Sequence, residues 1–292
     1  METVFITGAT GKIGSLLLPD LKKKGYLIRV LLPDNNPIAE NKGAGVISGD
    51  LLYPESYASA LEGAGTVIHA AAITHTNQIS RYYRVNSYGT LQLLKLCKRY
   101  GVKRFIFVST RAISTGGGHY SCSKRIAEKY VQGSGLEWII LRLAEVYGGG
   151  GNKGIDAVLN NVNHLPIIPI IGNGSYNVMP IHIKDAVFSI LQVLGRKDLR
   201  NRIYTIAGPE VLTYNDLIDK ILTAKSIRKI KVRIPFVLAR AVAGLAALIT
   251  QKAFLVKDQF PRLTCEKSDD ISLARKELDL APLNIEEAIA RD

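Results

Sequence analysis

The sequence reads Thr7-Gly8-Ala9-Thr10-Gly11-Lys12-Ile13-Gly14 directly after the apolar run Val4-Phe5-Ile6. A strand therefore leads into a glycine-rich turn that opens a helix near Gly14. Gly8 permits a tight turn, Gly11 lets the backbone approach a ligand, and Gly14 lets helix and strand pack closely. The N-terminus of the helix offers free N–H groups and a positive dipole end to an anion. This order predicts a site for the pyrophosphate of a dinucleotide.

A P-loop is the competing phosphate site, and the sequence does not match it. A P-loop needs a hydroxyl residue for magnesium after its lysine, whereas Lys12 is followed by Ile13. The glycines here also stand three residues apart, which is closer than a P-loop spaces them. We therefore reject the P-loop interpretation.

Composition indicates a folded globular protein. Of the 292 residues, 47% are hydrophobic and 22% are charged, which is enough for a large core. The three cysteines, Cys97, Cys122 and Cys265, are far apart, so we expect reduced thiols, no metal site and a cytoplasmic location. The first residues show no basic segment followed by an apolar one, so secretion is not expected. The longest apolar stretch, Ala241 to Thr250, is too short to span a bilayer.

The net charge of +13 favours anionic partners. Two cationic clusters stand out, namely Lys22 to Lys24 before Gly25 and the alternating run Lys229 to Ile234. The first is typical of a helix C-terminus, and the second predicts a strand with one basic face. No nucleic-acid-binding motif accompanies them, so we interpret both as solvated surface and expect no nucleic-acid partner.

Short β-branched runs alternate with helical patterns in the first half of the chain. This alternation predicts an α/β fold with a doubly wound parallel sheet, that is, a Rossmann fold. The predicted strands are near Val4–Ile6, Leu27–Leu32, Val46–Ser48, Val67–Ala70, Phe105–Ser109 and Glu137–Leu141; the predicted helices are near Gly14–Lys24, Pro54–Leu61, Ser80–Tyr100 and Tyr120–Gln132.

From about Gly148 the pattern is broken by glycine, proline and asparagine. We therefore predict a dinucleotide-binding core over residues 1–147 and a smaller, mainly substrate-binding region over residues 148–292. Strands near Met179–Ile183 and Arg202–Ile206 are expected to return to the core. Further helices are predicted near Thr213–Leu222, Pro235–Ile249 and Ile271–Leu278.

A tyrosine and a lysine stand four residues apart in Tyr120-Ser121-Cys122-Ser123-Lys124. On a helix this spacing puts both side chains on one face. An ammonium group beside a phenol favours its ionised form, so the pair is suited to general acid–base catalysis near neutral pH. The strand ending in Ser109-Thr110 precedes the pair and adds hydroxyl groups that could hold a substrate oxygen.

With these motifs the sequence resembles the short-chain dehydrogenase/reductase superfamily, in its extended and atypical branch of NAD-dependent epimerases and dehydratases. The resemblance covers nearly the whole chain. The matching segments are Thr7–Gly14, Gly49–Leu51, His69–Ala72, Tyr83–Thr90, Val108–Thr110, Tyr120–Lys124, Leu141–Arg142, Val146–Gly148, Pro180–Asp185, Tyr204–Pro209 and Ala274–Leu278.

The resemblance implies a role for each matching position. Tyr120 would be the acid/base, and Lys124 would bind the nicotinamide ribose and lower the pKa of Tyr120. Thr110 would hydrogen-bond the reacting oxygen, with Ser109 as the alternative. Asn86 would support the proton relay, unless it only satisfies backbone groups, and Asp50 could likewise only cap a turn. The other implied cofactor contacts are Gly8, Thr10, Gly11, Lys12, Ile13, Gly14, Asp50, Leu51, Ala70 and Ala71, and the implied substrate contacts are Ser109, Val146 and Val178.

The implied reaction is hydride transfer between a nicotinamide and a secondary alcohol or carbonyl of a small-molecule substrate. The alternatives are a nucleotide-sugar epimerase or dehydratase, a 3β-hydroxysteroid-dehydrogenase-like enzyme, and a non-catalytic dinucleotide-binding subunit. Val178 stands where similar nucleotide-sugar enzymes place an arginine for the diphosphate, so we expect a largely apolar pocket. Its lining would come from residues 148–156, residues 176–179 and the helix at residues 235–249. A homodimer is left open, and a membrane-surface contact through that helix is a secondary alternative.

The choice of cofactor depends on the end of the second strand, Leu32-Pro33-Asp34. A carboxylate there accepts from the ribose hydroxyls and repels a 2′-phosphate, so Asp34 favours NAD. Asp34 is equally well explained as a turn residue, and Lys12 would tolerate NADP.

Overall fold

The computed structural model describes residues 1–33, 44–151, 153–249 and 256–291, with the backbone alone for residues 245–249. Its strands are β1 (Thr3–Thr7), β2 (Leu27–Leu32), β3 (Gly45–Ser48), β4 (Ala64–His69), β5 (Arg104–Thr110), β6 (Glu137–Leu143), β7 (Val146–Tyr147), β8 (Ile167–Ile171), β9 (Asn177–Val178), β10 (Ile181–His182), β11 (Arg202–Ile206), β12 (Leu212–Thr213) and β13 (Ile230–Ile234). Its helices are α1 (Lys12–Lys23), α2 (Ile79–Arg81), α3 (Thr90–Arg99), α4 (Gly118–Gln132), α5 (Gly154–Asn161), α6 (Ile183–Gly195), α7 (Tyr214–Ala224), α8 (Phe236–Ile249), α9 (Gln259–Thr264), α10 (Ser272–Leu278) and α11 (Ile285–Arg291).

Seven strands form one parallel sheet in the order β11-β6-β5-β4-β1-β2-β3. The order in which strands are added to the sheet reverses between β1 and β4: β2 and β3 follow on one side of β1, whereas β4, β5 and β6 follow on the other. Ligands of doubly wound sheets bind in the crevice that such a reversal opens at the carboxyl ends of the strands. The glycine-rich turn after β1 lies at this point, so the predicted Rossmann fold is confirmed.

Helices cover both faces of the sheet. On one face, α1 and α6 bury Leu17, Leu21 and Ile190 against the strands. On the other face, α3 and α4 bury Leu93 and Val131. The strands are apolar on both sides because both sides are covered, which explains why they appear as continuous hydrophobic runs in the sequence.

The predicted helix over Pro54–Leu61 is wrong. The segment forms two 3-10 turns, Pro54–Ser56 and Ala58–Leu61, separated by Tyr57 at φ −138°. The hydroxyl of Ser56 donates to the carbonyl of Tyr53 and accepts from the N–H of Asp50. Such side-chain bonds compete with helical backbone bonds and favour turns.

The predicted helix over Ser80–Tyr100 forms, but its middle is wound differently. Between α2 and α3, residues Tyr82–Gly89 adopt a π-helical conformation. A Cβ on Gly89 would lie 2.9 Å from Cδ2 of Leu51, so glycine lets Leu51 pack directly on the helix.

The region after residue 148 contributes to the main body through β11, which pairs with β6 along five residues as expected. The other predicted return strand is shorter than Met179–Ile183: β10 holds two residues and pairs with β7 outside the central sheet. The division into units at residues 147 and 148 stays a prediction. No described helix combines the length and the apolar character needed to cross a membrane.

Candidate active site

Gly8 has a φ of +79°, which disfavours any side chain. A Cβ at this position would also lie 2.5 Å from the backbone nitrogen of Ala71 and 2.8 Å from the carbonyl oxygen of Ala70. The N–H of Ala70 donates to the carbonyl of Thr7, which holds the two loops side by side. Gly8, Ala70 and Ala71 therefore lie side by side at the carboxyl ends of β1 and β4.

Gly11 and Gly14 set the start of α1. A Cβ on Gly14 would lie 2.3 Å from the carbonyl oxygen of Gly8, so the helix packs on the turn too closely for alanine. Thr10 and Gly11 are exposed at the top of the turn, while Ile13 packs against the core. The first N–H groups of a helix have no partner inside the helix, so this turn forms a cradle that fits a dinucleotide pyrophosphate.

Lys12, a predicted cofactor contact, forms an ion pair with the buried carboxylate of Asp156 on α5. Asp156 also accepts the N–H of Gly148 at 2.8 Å. The alkyl chain of Lys12 passes close to Gly149, where a Cβ would lie 3.5 Å from Cε. Lys12 thus connects the glycine-rich turn to the second half of the chain.

Of the predicted cofactor contacts Asp34, Asp50 and Leu51, the structure describes the last two. Asp34 lies outside the described residues. Asp50 accepts the N–H of Leu52 at 2.8 Å, so it caps a turn in the manner of an Asx turn. The side chain of Leu51 is buried in the core with Tyr57.

Sequence reasoning missed a buried polar chain beneath the turn. His69 bonds to the hydroxyl of Thr7 at 2.6 Å through Nδ1 and to the hydroxyl of Thr90 at 2.8 Å through Nε2. The hydroxyl of Thr7 also accepts the N–H of Ala71, and that of Thr90 donates to the carbonyl of Asn86. Burial lowers the pKa of His69 to about 3, with the charge of Lys124 acting in the same direction, so the ring is neutral.

This low pKa gives a testable prediction for stability. Between about pH 6.5 and about pH 3 the unfolded chain binds a proton at His69 that the folded chain does not. The free energy of unfolding therefore falls with decreasing pH across this window, by at most about 1.4 kcal/mol per pH unit from this group. We expect the H69Q variant to show a smaller pH slope in denaturant titrations. Substituting the exposed His164 in the same way serves as the control, and an equal slope in wild type and H69Q would contradict the prediction.

Asn86 secures the loop after β4. Its amide donates to the carbonyl of Ile73 and to the hydroxyl of Ser123, both at 3.0 Å, and its oxygen accepts the N–H of Ile73 at 2.8 Å. These bonds match the alternative in which Asn86 satisfies backbone groups. Through Ser123 they also fix α4 next to Lys124.

Tyr120 and Thr110 are brought together, although nine residues separate them in sequence. Thr110 ends β5 and Tyr120 lies in the first turn of α4, close enough for the Thr110 side chain to act on the pKa of Tyr120. Tyr82 packs edge-on against the Tyr120 ring at a centroid distance of 6.2 Å. The Tyr120 hydroxyl therefore lies at the carboxyl edge of the sheet, where the predicted reaction needs it.

The cation beside Tyr120 is Arg262, which the sequence analysis did not single out as a site residue. Its guanidinium carbon lies 4.6 Å from the centroid of the Tyr120 ring. Arg262 also donates to the carbonyl of Thr74 at 3.0 Å, so α9 lies over the site. Its sequence neighbours give no local signal for this contact, because α9 approaches α4 only in the folded chain.

Asp258 fixes the start of α4 from the same segment. Its carboxylate accepts the N–H of His119 at 2.6 Å and that of Tyr120 at 3.1 Å, and it pairs with Arg262 at 3.5 Å. A carboxylate at a helix N-terminus is stabilised by unpaired N–H groups and the dipole. Asp258 therefore binds the backbone of Tyr120, and Arg262 contacts its ring.

The expected effect of Lys124 on Tyr120 is not what this structure shows. Burial raises the pKa of Tyr120, while Arg262 and the Thr110 hydrogen bond act to lower it. Lys124 is 1% exposed, donates to the carbonyl of Val108 at 2.8 Å and lies 3.9 Å from the centroid of the Phe107 ring. Burial lowers the pKa of Lys124 to about 7, against the opposing charge of Glu128. The predicted depression of the Tyr120 pKa is therefore corrected to a rise.

Ser109, the alternative to Thr110, does not face Tyr120. Its hydroxyl donates to Glu128 at 2.6 Å, and Glu128 is paired with Arg142 at 2.6 Å. Successive residues of a strand point to opposite faces, so only one of the two hydroxyls can reach the site. Thr110 is that residue.

The predicted substrate contacts Val146 and Val178 pack in the interior. Val178 is buried in a cluster with Tyr147 and Tyr176, and Val146 packs against the main core. Within the segment 176–179, Tyr176, Val178 and Met179 are buried, and Ile168 and Ile170 of β8 are buried as well.

An ion network around the buried side chain of Arg111 lies next to Thr110. Arg111 donates to Glu145 at 2.9 Å and pairs with Asp269, and Lys267 pairs with Glu145 at 3.1 Å. Burial raises the pKa of Glu145, but Lys267 and Arg111 outweigh it, and the net pKa lies below its usual value. Within the described residues, no cluster of three His, Cys, Asp or Glu side chains is arranged to hold a metal ion.

Comparison with known proteins identifies the family of the chain. The model of the NAD dependent epimerase/dehydratase family matches residues 4–207, which is the family that the motifs indicated. A ceramide reductase of Caulobacter vibrioides is 29% identical over 191 residues, which are 64% of this chain and 59% of that protein. A 2-alkyl-3-oxoalkanoate reductase of Shewanella oneidensis is 24% identical over 98% of this chain and 84% of its own length.

The fold is also found in solved structures. UDP-glucuronic acid 4-epimerase from Bacillus cereus, solved with UDP-glucuronic acid and NAD, superposes with a TM-score of 0.79. The two sequences are 20% identical, and the match covers 99% of this chain and 96% of the epimerase.

Proposed function

This chain belongs to the NAD dependent epimerase/dehydratase family of NAD-dependent enzymes, and we propose that it interconverts a ketone and a secondary alcohol on a largely apolar small molecule, with Tyr120 as the proton donor and acceptor. The observation that carries the proposal is the placement of Tyr120 close to Thr110 at the end of β5, with the guanidinium carbon of Arg262 4.6 Å from the centroid of its ring. The glycine-rich cradle at Gly8, Gly11 and Gly14 supports NAD as the cofactor.

The residues perform three tasks in this mechanism. Bound NAD would supply the acceptor, or in its reduced form the donor, of the hydride. In the direction of reduction, the Tyr120 hydroxyl donates its proton to the substrate oxygen, and Thr110 orients that oxygen by a hydrogen bond. In the reverse direction, the phenolate oxygen of Tyr120 takes the proton from the alcohol. Burial raises the pKa of Tyr120, so the phenol is protonated and can act as the proton donor in the direction of reduction.

Lys124 is proposed to hold the cofactor ribose from the adjoining turn of α4. Its ammonium is placed by the Val108 carbonyl and the Phe107 ring and lies on the same helix face as Tyr120. Ala70 and Ala71 would form the wall of the cofactor site beside the turn at Gly8. Lys12 is proposed to lie over the pyrophosphate, anchored by Asp156.

The apolar character of the substrate is supported by two observations. The chain has Val178, without a positive charge, at the position where similar nucleotide-sugar enzymes place an arginine for the diphosphate. Two relatives are named ceramide reductase and 2-alkyl-3-oxoalkanoate reductase, and the second name describes a ketone that carries an alkyl group.

The function is tested by incubating the purified chain with NADH and a panel of long-chain and steroid ketones, and following NADH absorbance. We expect oxidation of NADH with at least one apolar ketone. Stoichiometric NADH binding in calorimetry without any turnover on this panel would favour a non-catalytic dinucleotide-binding protein. Interconversion of UDP-sugars would instead establish a nucleotide-sugar epimerase. NADP is titrated in the same calorimeter, and tighter binding of NADP than of NAD would contradict the proposed cofactor.

The contact between Arg262 and Tyr120 gives a prediction for the dependence of kcat on pH. Its cation lowers the pKa of Tyr120, so the R262M variant should have a Tyr120 pKa about one unit higher, since a cation–π contact is worth ~0.5–2 kcal/mol. In the oxidative direction the rising limb of kcat against pH should therefore move to higher pH. R275M, on the exposed part of α10, is the matched control. An unchanged profile in R262M would show that the ring contact has no electrostatic role.

A further inference from the structure

Among its described side chains, the helix α8 exposes three large apolar residues and buries two small ones. Val237 is 81% exposed, and Leu238 and Val242 are each 55% exposed, whereas Ala239 and Ala243 are buried. A helix on the surface of a globular protein normally turns its larger apolar side chains inward. The exposed side of α8 therefore presents an apolar surface that another partner can cover.

The strand before α8 continues this exposed apolar surface. In the parallel pair of β13 and β8, Ile230 lies beside Ile167 and Val232 lies beside Pro169. Ile230 is 72% exposed, and the other three residues of these two pairs are exposed as well. Ile168 and Ile170, which alternate along β8 with Ile167 and Pro169, face the core. The outer side of the two-stranded sheet of β8 and β13 is therefore apolar.

Positive charge surrounds these apolar residues. Between Asp219 and Asp258 the sequence contains nine lysines and arginines and no aspartate or glutamate. Arg228, Arg233 and Arg240 are exposed within or beside β13 and α8. A cavity of about 710 Å³ at the edge of β13 is lined in part by Lys231 and Arg233. Apolar residues flanked by cations are typical of segments that lie in the interface of an anionic membrane.

We propose that this surface, formed by the exposed residues of β8, β13 and α8 and called here the basic apolar surface, docks the protein on an anionic lipid bilayer. The apolar side chains enter the boundary of the acyl chains, and the arginines contact the phosphates of the headgroups. A second copy of the chain is a poorer occupant, because a two-fold symmetric contact would place the same cations against each other. The docking does not depend on the chemistry proposed for Tyr120.

The basic apolar surface lies beside the candidate active site. The buried side of α8 contacts α9 through Phe236 and Phe260, whose ring centroids are 6.2 Å apart. The same helix α9 carries Arg262 onto Tyr120. A membrane contact here would place the lipid phase close to Tyr120.

The proposal is tested by flotation of the purified full chain with two kinds of vesicle. One contains phosphatidylcholine alone, and the other contains equal parts of phosphatidylcholine and phosphatidylglycerol. We expect binding to the anionic vesicles, weakened by added salt. The R233Q/R240Q variant should bind about thirtyfold more weakly, since each arginine near a membrane surface contributes about a factor of five. K22Q/K23Q removes the same charge from the end of α1 and should bind like wild type.

The apolar part is tested with V237S/L238S/V242S, which should lose binding to the anionic vesicles. V211S, at a residue that is 46% exposed elsewhere, is its control. Because the substituted side chains are exposed, all variants should melt at the wild-type temperature and bind NAD equally. Equal flotation of wild type and both surface variants would overturn the proposal. It would also be overturned if wild type failed to float and light scattering showed a dimer, or a complex with an acidic protein, that V237S/L238S/V242S abolishes.

Discussion

The Y120F variant is expected to lose turnover while keeping its affinity for NAD. The substitution removes only the hydroxyl, so the ring contacts with Arg262 and Tyr82 are preserved. Loss of a general acid–base group lowers the rate by ~10²–10⁴. The measurement is kcat on the ketone identified above, together with the Kd of NAD by calorimetry.

A neighbouring tyrosine provides the matched control. The Tyr83 hydroxyl bonds to His119 at 3.0 Å, on the exposed side of the same helices, and Y83F should retain full activity. K124A removes the ammonium from the Val108 carbonyl and should weaken both NAD binding and turnover. Full activity in Y120F would disprove the proposed mechanism, even if the chain still bound NAD.

The second large effect is expected for G8A, which should lose NAD binding. The added methyl group would lie 2.5–2.8 Å from the backbone of Ala70 and Ala71, so the wall of the cradle has to move. Strained backbone of this kind costs ~1–3 kcal/mol, and displacement of the wall removes the surface against which the cofactor packs. We expect the Kd of NAD to rise at least about a hundredfold, which corresponds to about 2.7 kcal/mol.

Gly25 allows the clash to be separated from the backbone strain. It has the same φ of +79° as Gly8, but nothing lies within 4 Å of a Cβ built there. G25A should therefore lower thermal stability slightly and leave the Kd of NAD unchanged. If G8A and G25A had equal effects on NAD binding, the close contact with Ala70 and Ala71 would be irrelevant to the cofactor.

The fold was predictable because its signals are local. The order of strand, glycine turn and helix around Gly8 and the apolar runs of β1 to β6 depend on neighbours in sequence, and the structure confirms them. Tyr120 and Lys124 were found for the same reason, since their spacing is that of one helix face. The segment Pro54–Leu61 was misjudged because the Ser56 hydroxyl competes with helical bonds there.

The sequence by itself determined the parallel α/β architecture, the glycine cradle and the pairing of a tyrosine with a lysine on one helix. Only the tertiary structure decided which charges meet Tyr120, because Asp258 and Arg262 lie more than one hundred residues away along the chain. It also decided that Lys12 meets Asp156 and that Val237, Leu238 and Val242 of α8 face outward. The physical reason is that periodicity fixes the face on which a side chain lies, whereas its partner depends on which elements pack against that face.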